Sequence, residues 1–185
     1  MDKLENDFFY HIYNRGNDKQ DVFLEKENYS HFLKLLKKHI IPAADVYSYC
    51  LLTNHFHILV RIKEEAIHPS KNFSNLFNAY TKALNKKYNR TGSLFQRPFK
   101  RKRVTNEDYL KHLIVYIHLN PEAHNLIDDF QDYPYSSFSS LLSVKVTSLA
   151  RAEVMNLFDN KSNFEFVHRN SKTINIEVLK AITFE

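Results

Sequence analysis

Cysteine, glycine and tryptophan are nearly absent from this sequence. Its 185 residues include one Cys, two Gly and no Trp. With Cys50 alone, no disulfide framework can form, which favours a reducing compartment. No apolar run approaches the roughly 20 residues that a membrane-spanning helix needs. The acidic first segment, MDKLEND, does not resemble a signal peptide. We therefore expect a soluble cytoplasmic protein with no membrane partner.

Aromatic residues and positive charge are what the chain has in excess. It contains 15 Phe and 11 Tyr, within an ordinary globular balance of 43% hydrophobic and 25% charged residues. The length suffices for one domain with a sizeable core and an extension. The net charge of +5 and the pI near 9.1 favour an anionic partner, most often nucleic acid.

Hydrophobic periodicity predicts an alternation of strands and helices. Strands are expected at 8–13, 45–52, 55–62 and the latter part of 93–104, and helices at 26–40, 73–88 and 105–119. The first six elements follow the order β-α-β-β-α-β. This order is typical of an α+β, ferredoxin-like (RRM-like) fold, a four-stranded antiparallel sheet with two helices on one face. We expect this domain to span residues 1–128, followed by a partly helical C-terminal extension at 129–185.

The stretch at 49–62, YCLLTNHFHILVRI, carries the first candidate site. On a strand, residues two apart point to the same face, so His55 and His57 would lie side by side. Two neighbouring imidazoles can hold one metal ion. A His-x-His pair is also common as two hydrogen-bonded sheet histidines, and the stretch alone leaves both interpretations open.

The last helix of the domain carries the second candidate site. Thr105 and Asp108 have the spacing of a capping box, and Pro121 predicts an end or kink near Asn120. Tyr116 and Asn120 lie one turn apart beside an apolar stripe. Tyr116 could be a buried tyrosine with a bonded hydroxyl. If the helix packs on the open sheet face, however, it would bring these two residues towards the histidines.

Such a group of side chains has a definite chemistry. Two imidazoles and an amide oxygen can hold a divalent ion, with a phenol one helical turn away as a nucleophile. This combination favours metal-assisted phosphoryl transfer.

Basic residues cluster after the second helix and within it. Those expected to bind a phosphate backbone are Arg15, Lys82, Lys86, Arg90, Arg97, Lys100, Arg101, Lys102 and Arg103. The alternative is that these charged side chains form an ordinary solvent-exposed face with no DNA-binding role.

Five spaced motifs resemble the single-tyrosine HUH transposases of bacterial insertion sequences, and most closely the REP-associated tyrosine transposases (RAYT). They are YHIYNRGN, YCLLTNHFHILV, GSLFQRPFKRKRV, YLKHLIVYIHLNP and DYPYSSFSSL, which occur in this order over residues 8–142. The resemblance implies a ferredoxin-like domain that acts on single-stranded DNA. It also implies that His55 and His57 are the HUH histidines, Tyr116 the nucleophile and Asn120 the amide metal ligand.

The chain departs from the family pattern at three places. Leu52-Thr53 replaces the usual Met-Pro before Asn-His, and Arg97-Pro98-Phe99 replaces Gly-Arg-Phe. Asn120 stands where the insertion-sequence members generally have Gln, one methylene longer. None of these changes removes a catalytic group.

The resemblance thus implies a single-strand DNA endonuclease and strand transferase that uses Mg²⁺ or Mn²⁺ and a 5′-phosphotyrosine intermediate. Its partner would be single-stranded or hairpin DNA, its location the bacterial nucleoid, and its assembly a monomer or a homodimer. The alternative is a domesticated RRM-like protein that binds hairpin DNA or RNA without cutting it. A replication-initiator or relaxase nuclease of the wider HUH class is a third possibility.

Overall fold

A four-stranded antiparallel sheet with strand order β2-β3-β1-β4 forms the centre of the fold. The structure is a computed structural model and describes residues 2–171. Its strands are β1 (Phe9–Arg15), β2 (Ala44–Leu51), β3 (His55–Ile62) and β4 (Lys100–Arg103). Its helices are α1 (Lys26–His39), α2 (Pro69–Lys87), α3 (Glu107–Ala123), α4 (Phe138–Leu142), α5 (Arg151–Leu157) and α6 (Lys161–Asn170). The order and pairing confirm the predicted ferredoxin-like arrangement.

The side-chain alternation of β3 separates two hydrophobic cores. Phe56 points to one face, where its ring lies 5.1 Å from that of Phe32 in α1 and 5.4 Å from that of Phe77 in α2. His57 and Leu59 point to the other face, where they meet α3. Helices α1 and α2 therefore cover one face of the sheet and α3 the opposite face.

Helix α3 starts two residues later than the predicted 105–119 and ends four residues later. Its N-cap is Asn106, not Thr105, and the Asn106 side chain accepts a hydrogen bond of 2.8 Å from the backbone N–H of Tyr109. Asparagine caps a helix at least as well as threonine, and this one lies closer to the first turn. Of the end or kink predicted near Asn120, the end is wrong, because the helix continues through Pro121 to Ala123. The proline removes one backbone donor near the helix end, where the loss is offset by the burial of the apolar side chains of Leu119 and Pro121.

The described part of the predicted extension, residues 129–171, packs against α3 and β2. Phe130, Phe138 and Phe164 join the core of α3, and the Tyr133 hydroxyl donates to the Leu51 carbonyl at 2.8 Å. The aromatic segment SNFEFVHRN lies in α6. The domain boundary at residue 128 stays a prediction, and residues 172–185 lie outside the described part. None of the helices within residues 2–171 is long and apolar enough to cross a membrane.

Candidate active site

Two adjacent strands place four polar side chains on the sheet face that α3 covers. His55 and His57 of β3 are 8% and 1% exposed, with ring centroids 5.2 Å apart and ring planes nearly perpendicular. In the pairing of β1 with β3, Arg15 lies opposite His55 and Tyr13 opposite His57. The predicted orientation of both histidines towards one face is confirmed by this register.

Each of the two histidines has a polar partner at Nδ1. The His57 Nδ1 lies 2.9 Å from Nε2 of His11, and the His55 Nδ1 lies 2.7 Å from the side-chain oxygen of Asn54. An amide oxygen can only accept, so the Nδ1 of His55 carries the proton and its Nε2 has the lone pair. That tautomer is the one in which Nε2 can ligate a metal ion.

Helix α3 brings Tyr116 against the histidines. The Tyr116 ring meets the His57 ring edge-on, with centroids 5.6 Å apart and an angle of 81° between the planes. Tyr116 is 4% exposed. Because the helix packs on this face of the sheet, the side chain one turn further on, Asn120, is buried as well.

The side-chain amide of Asn120 is buried and forms no hydrogen bond within the described residues. It is 1% exposed, and neither its oxygen nor its nitrogen forms a hydrogen bond with any residue in 2–171. A buried amide without a partner is costly, at about 1–3 kcal/mol, unless something else satisfies it. A divalent ion would satisfy the oxygen, and the residues present therefore fit a metal ion. Within the described range no group of three or more His, Cys, Asp or Glu side chains has a metal-site arrangement. The candidate set instead combines two imidazoles with an amide.

Tyr109, the competing tyrosine on α3, has different surroundings. Its ring lies 5.6 Å from the ammonium of Lys102, and burial raises the pKa of its hydroxyl to about 12. Seven residues before Tyr116, it is about 10 Å away along the helix axis. Its buried hydroxyl has no hydrogen-bond partner among the described residues. A phenol with a raised pKa loses its proton less readily at neutral pH, so the surroundings of Tyr109 do not favour it as the nucleophile.

Two further histidines near the site were missed in the sequence. His11 contacts His57, and the ring of His124, just after α3, lies 4.9 Å from that of His55. The alternation Phe9, His11, Tyr13 in β1 could have signalled His11, because its pairing with β3 places that residue on the face of His55 and His57. His124 has no such signal, since its position depends on α3 continuing past Pro121.

The predicted DNA-binding residues divide between the two faces of the sheet. Lys100 and Lys102 pair with Tyr13 and His11, and therefore lie on the face of the candidate active site. Arg15 lies there too, with a buried Nε that forms no hydrogen bond to any described residue. These three cations are positioned to meet a phosphate near His55 and His57.

The remaining basic residues lie away from that face. Arg101 and Arg103 alternate with the two lysines, and Arg103 pairs with Glu5 at 3.0 Å. Arg97 lines a cleft of about 630 Å³ between α2 and the 93–101 segment. The other three belong to the second half of α2 and its C-terminal turn: Lys82, Lys86 and Arg90. The predicted DNA-binding residues thus lie on two surfaces. The two-residue period of β4 sends neighbouring basic side chains to opposite faces of the sheet, and α2 covers one of these faces.

Comparisons with known proteins bear on this arrangement. No protein-family model matches the chain. A protein of Haemophilus influenzae that is named as a REP-associated tyrosine transposase is 28% identical over 99 residues, which cover 48% of this chain and 56% of the relative. The match thus spans little more than half of that relative's length.

Solved structures align with this chain, and the first of them shares its fold. That of a REP-associated tyrosine transposase bound to a REP hairpin aligns with a TM-score of 0.61 and 15% identity, over 82% of this chain and 96% of its own. A bacterial tRNA(His) guanylyltransferase-like protein in complex with GTP aligns with a TM-score of 0.46 and 10% identity, over 71% of this chain and 72% of its own. The resemblance predicted from the five motifs is confirmed: the chain is similar in sequence to one REP-associated tyrosine transposase and shares the fold of another.

Proposed function

We propose that this protein is a metal-dependent single-strand DNA endonuclease and strand transferase with Tyr116 as its nucleophile. The observation that carries the proposal is the contact of Tyr116 with His57, with Asn120 one helical turn away. The relationship to the REP-associated tyrosine transposases supports the same reaction class.

The residues that would hold the metal are His55, His57 and Asn120. When bound, Mg²⁺ or Mn²⁺ would polarise the scissile phosphate and neutralise the charge that develops in the transition state. The set contains no carboxylate, so the substrate phosphate would supply anionic oxygen to the ion.

Tyr116 would carry out the covalent step. Its phenolic oxygen attacks the phosphorus and gives up its proton, a phosphorus–oxygen bond forms, and the bond to the 3′ oxygen of the preceding nucleotide breaks. That oxygen takes up a proton and leaves as a 3′-hydroxyl, while the 5′-phosphate stays on Tyr116. The ester retains the bond energy, so joining to another 3′-hydroxyl needs no nucleotide cofactor.

The substrate would be single-stranded or hairpin DNA. The solved relative is bound to a REP hairpin, and Arg15, Lys100 and Lys102 lie on the proposed catalytic face. Phosphate contacts release counterions, so affinity for a hairpin should fall steeply as salt rises from 50 to 200 mM, by roughly tenfold or more. Fluorescence anisotropy with a hairpin and a duplex of the same sequence tests this, and preference for the duplex would argue against it. This function would locate the protein on the cytoplasmic nucleoid.

The nucleophile is tested by Tyr116→Phe with Tyr109→Phe as the matched control. Each full-length variant is incubated with hairpin DNA and Mn²⁺ and run on a denaturing gel, and the DNA-linked peptide is mapped. Tyr116→Phe should abolish the adduct while keeping DNA and Mn²⁺ binding, and Tyr109→Phe should keep most of it. An adduct that persists in Tyr116→Phe would overturn the assignment. If wild type binds the hairpin but never forms an adduct, the protein is the non-catalytic binder instead.

A further inference from the structure

We propose that His11 is a positioning residue for the metal site: it holds His57 in the tautomer that presents Nε2 to the ion. This inference rests on the proposed function, because it takes His57 to be a ligand. It assigns a role to a residue of β1 that lies outside the His-x-His motif and next to neither ligand in sequence.

The geometry of the contact is set by two paired strands. His11 and His57 are 0% and 1% exposed, and the distance from His11 Nε2 to His57 Nδ1 is 2.9 Å. The rings lie 5.0 Å apart with 22° between their planes. His11 pairs with Leu59 in the register of β1 and β3, so its ring reaches diagonally to His57. The hydrogen-bonded ladder fixes both ring positions, since neither strand can shift by one residue without turning its side chains over.

The hydrogen bond allows two arrangements of protons. One neutral ring must donate and the other accept, so the proton between them belongs either to His57 or to His11. If it belongs to His57, the Nε2 of that ring has a lone pair and can ligate. If it belongs to His11, Nε2 of His57 carries the second proton and cannot ligate. Metal binding at His57 therefore requires His11 to be the acceptor, with its own proton on Nδ1.

His11 cannot be a ligand to the same ion through this contact. Its Nε2 is directed at the Nδ1 edge of His57, whereas the ion would sit at the Nε2 edge of that ring. The role left to it is orientation of the ring and an increase in the basicity of Nε2, as hydrogen-bond acceptors do for metal-bound imidazoles.

The neighbouring histidine has the same arrangement, which strengthens the inference. The Nδ1 of His55 donates to the side-chain oxygen of Asn54 at 2.7 Å. Both histidines of the pair thus have a polar partner at Nδ1, one from the preceding turn and one from the adjacent strand. An ion shared by the two rings requires both to have the proton on Nδ1 and a lone pair on Nε2.

Calorimetry with Mn²⁺ on the full chain tests the proposal with two substitutions that differ in hydrogen bonding. His11→Leu removes the acceptor, and the affinity for Mn²⁺ should fall by roughly 10- to 100-fold. His11→Gln retains a side-chain oxygen and should recover most of that loss. His112→Gln, an exposed change on α3, is the surface control. Equal affinity in wild type and a folded His11→Leu would overturn the role of His11.

Nitrogen NMR of the imidazoles in metal-free wild type gives a readout that does not depend on a variant folding. The His57 signals, assigned by their loss in His57→Ala, should show the proton on Nδ1. A proton on Nε2 would overturn the proposal. Undiminished Mn²⁺ binding by His57→Ala would rule out the proposed metal site itself. Loss of binding in His57→Ala with none in His11→Leu removes only the positioning role.

Discussion

The described residues, 2–171, include two hydrogen-bonded pairs of buried histidines with the same hydrogen-bond length and different surroundings. His11 and His57 are joined at 2.9 Å on the sheet face beside Tyr116. His118 of α3 and His168 of α6 are also joined at 2.9 Å, in a core of phenylalanine rings that includes Phe164. Neither pair can be recognised from local sequence, because 46 and 50 residues separate the partners.

In the second pair, the two outer ring nitrogens also form hydrogen bonds with protein groups. The carbonyl of Phe164 accepts from Nδ1 of His168 at 2.7 Å, so Nε2 of His168 accepts from Nδ1 of His118. The remaining nitrogen, Nε2 of His118, then accepts from the Ser137 hydroxyl at 2.7 Å. All four ring nitrogens have protein partners, and burial lowers the pKa of both rings, that of His168 to about 4.

The comparison shows that burial and pairing of histidines do not by themselves indicate a function. The second pair ties α6 to α3 through a hydrogen-bonded chain that is complete within the protein. The first pair contacts Tyr116, and one turn further along the same helix is a buried amide, Asn120, whose two polar atoms have no partner among the described residues. The chemistry beside a pair, and not the pair itself, marks the candidate site.

The largest expected difference between the pairs is in metal binding. His57→Ala should reduce Mn²⁺ affinity by more than about 100-fold, because a ligand is lost. His168→Ala should leave the affinity of the folded protein within about twofold, since that ring has no role at the proposed metal site. Calorimetry on both variants under conditions where each is folded checks this. A large loss of affinity in His168→Ala would contradict the claim that His168 has no role in metal binding.

For the free energy of unfolding, we expect the larger effect at the second pair. His168→Ala opens a cavity among aromatic rings and leaves the Nδ1–H of His118 without its acceptor, which should lower the free energy of unfolding by about 4 kcal/mol. Urea denaturation followed by circular dichroism measures it. The exposed His112→Gln should stay within about 0.5 kcal/mol of wild type. A cost below about 1 kcal/mol for His168→Ala would show that the second pair is not a structural link.

The pH dependence of stability should reveal the second pair as well. Because the folded pKa of His168 is lowered from 6.5 to about 4, the unfolded chain binds its proton first as the pH falls. The contribution of His168 is therefore complete above about pH 6.5 and is lost progressively towards pH 4. The stability gap between wild type and His168→Phe should narrow by about 2 kcal/mol between pH 7 and 4.5. Urea titrations at several pH values measure the gap, and a constant gap would contradict this.

The smallest expected effect concerns Tyr109. Its buried hydroxyl forms no hydrogen bond with any residue in 2–171, so Tyr109→Phe should be neutral or raise the free energy of unfolding by about 1 kcal/mol. The same measurement in urea tests it. A loss of more than about 1 kcal/mol would mean that the hydroxyl has a partner in solution, such as a bound water.

Much of the fold was predictable because local patterns determine it. The period-2 alternation of β3 predicted its bounds and the faces of His55 and His57, and the apolar spacing predicted α1 and α2 to within a few residues. The predictions failed where two local signals competed. Thr105 and Asn106 are both good caps, and Pro121 is a helix breaker whose effect was overcome by packing.

The sequence by itself determined the strand and helix order, the alternation that places His55 beside His57, and the spacing of Tyr116 and Asn120 on one helix. These features follow from periods of two and 3.6 residues, which need no distant partner. Only the tertiary structure decided which rings meet: Tyr116 with His57, His11 with His57, and His118 with His168. It also divided the basic residues between two faces. Such contacts join positions far apart in the chain, and they depend on strand register and on which sheet face a helix covers, neither of which a local pattern specifies.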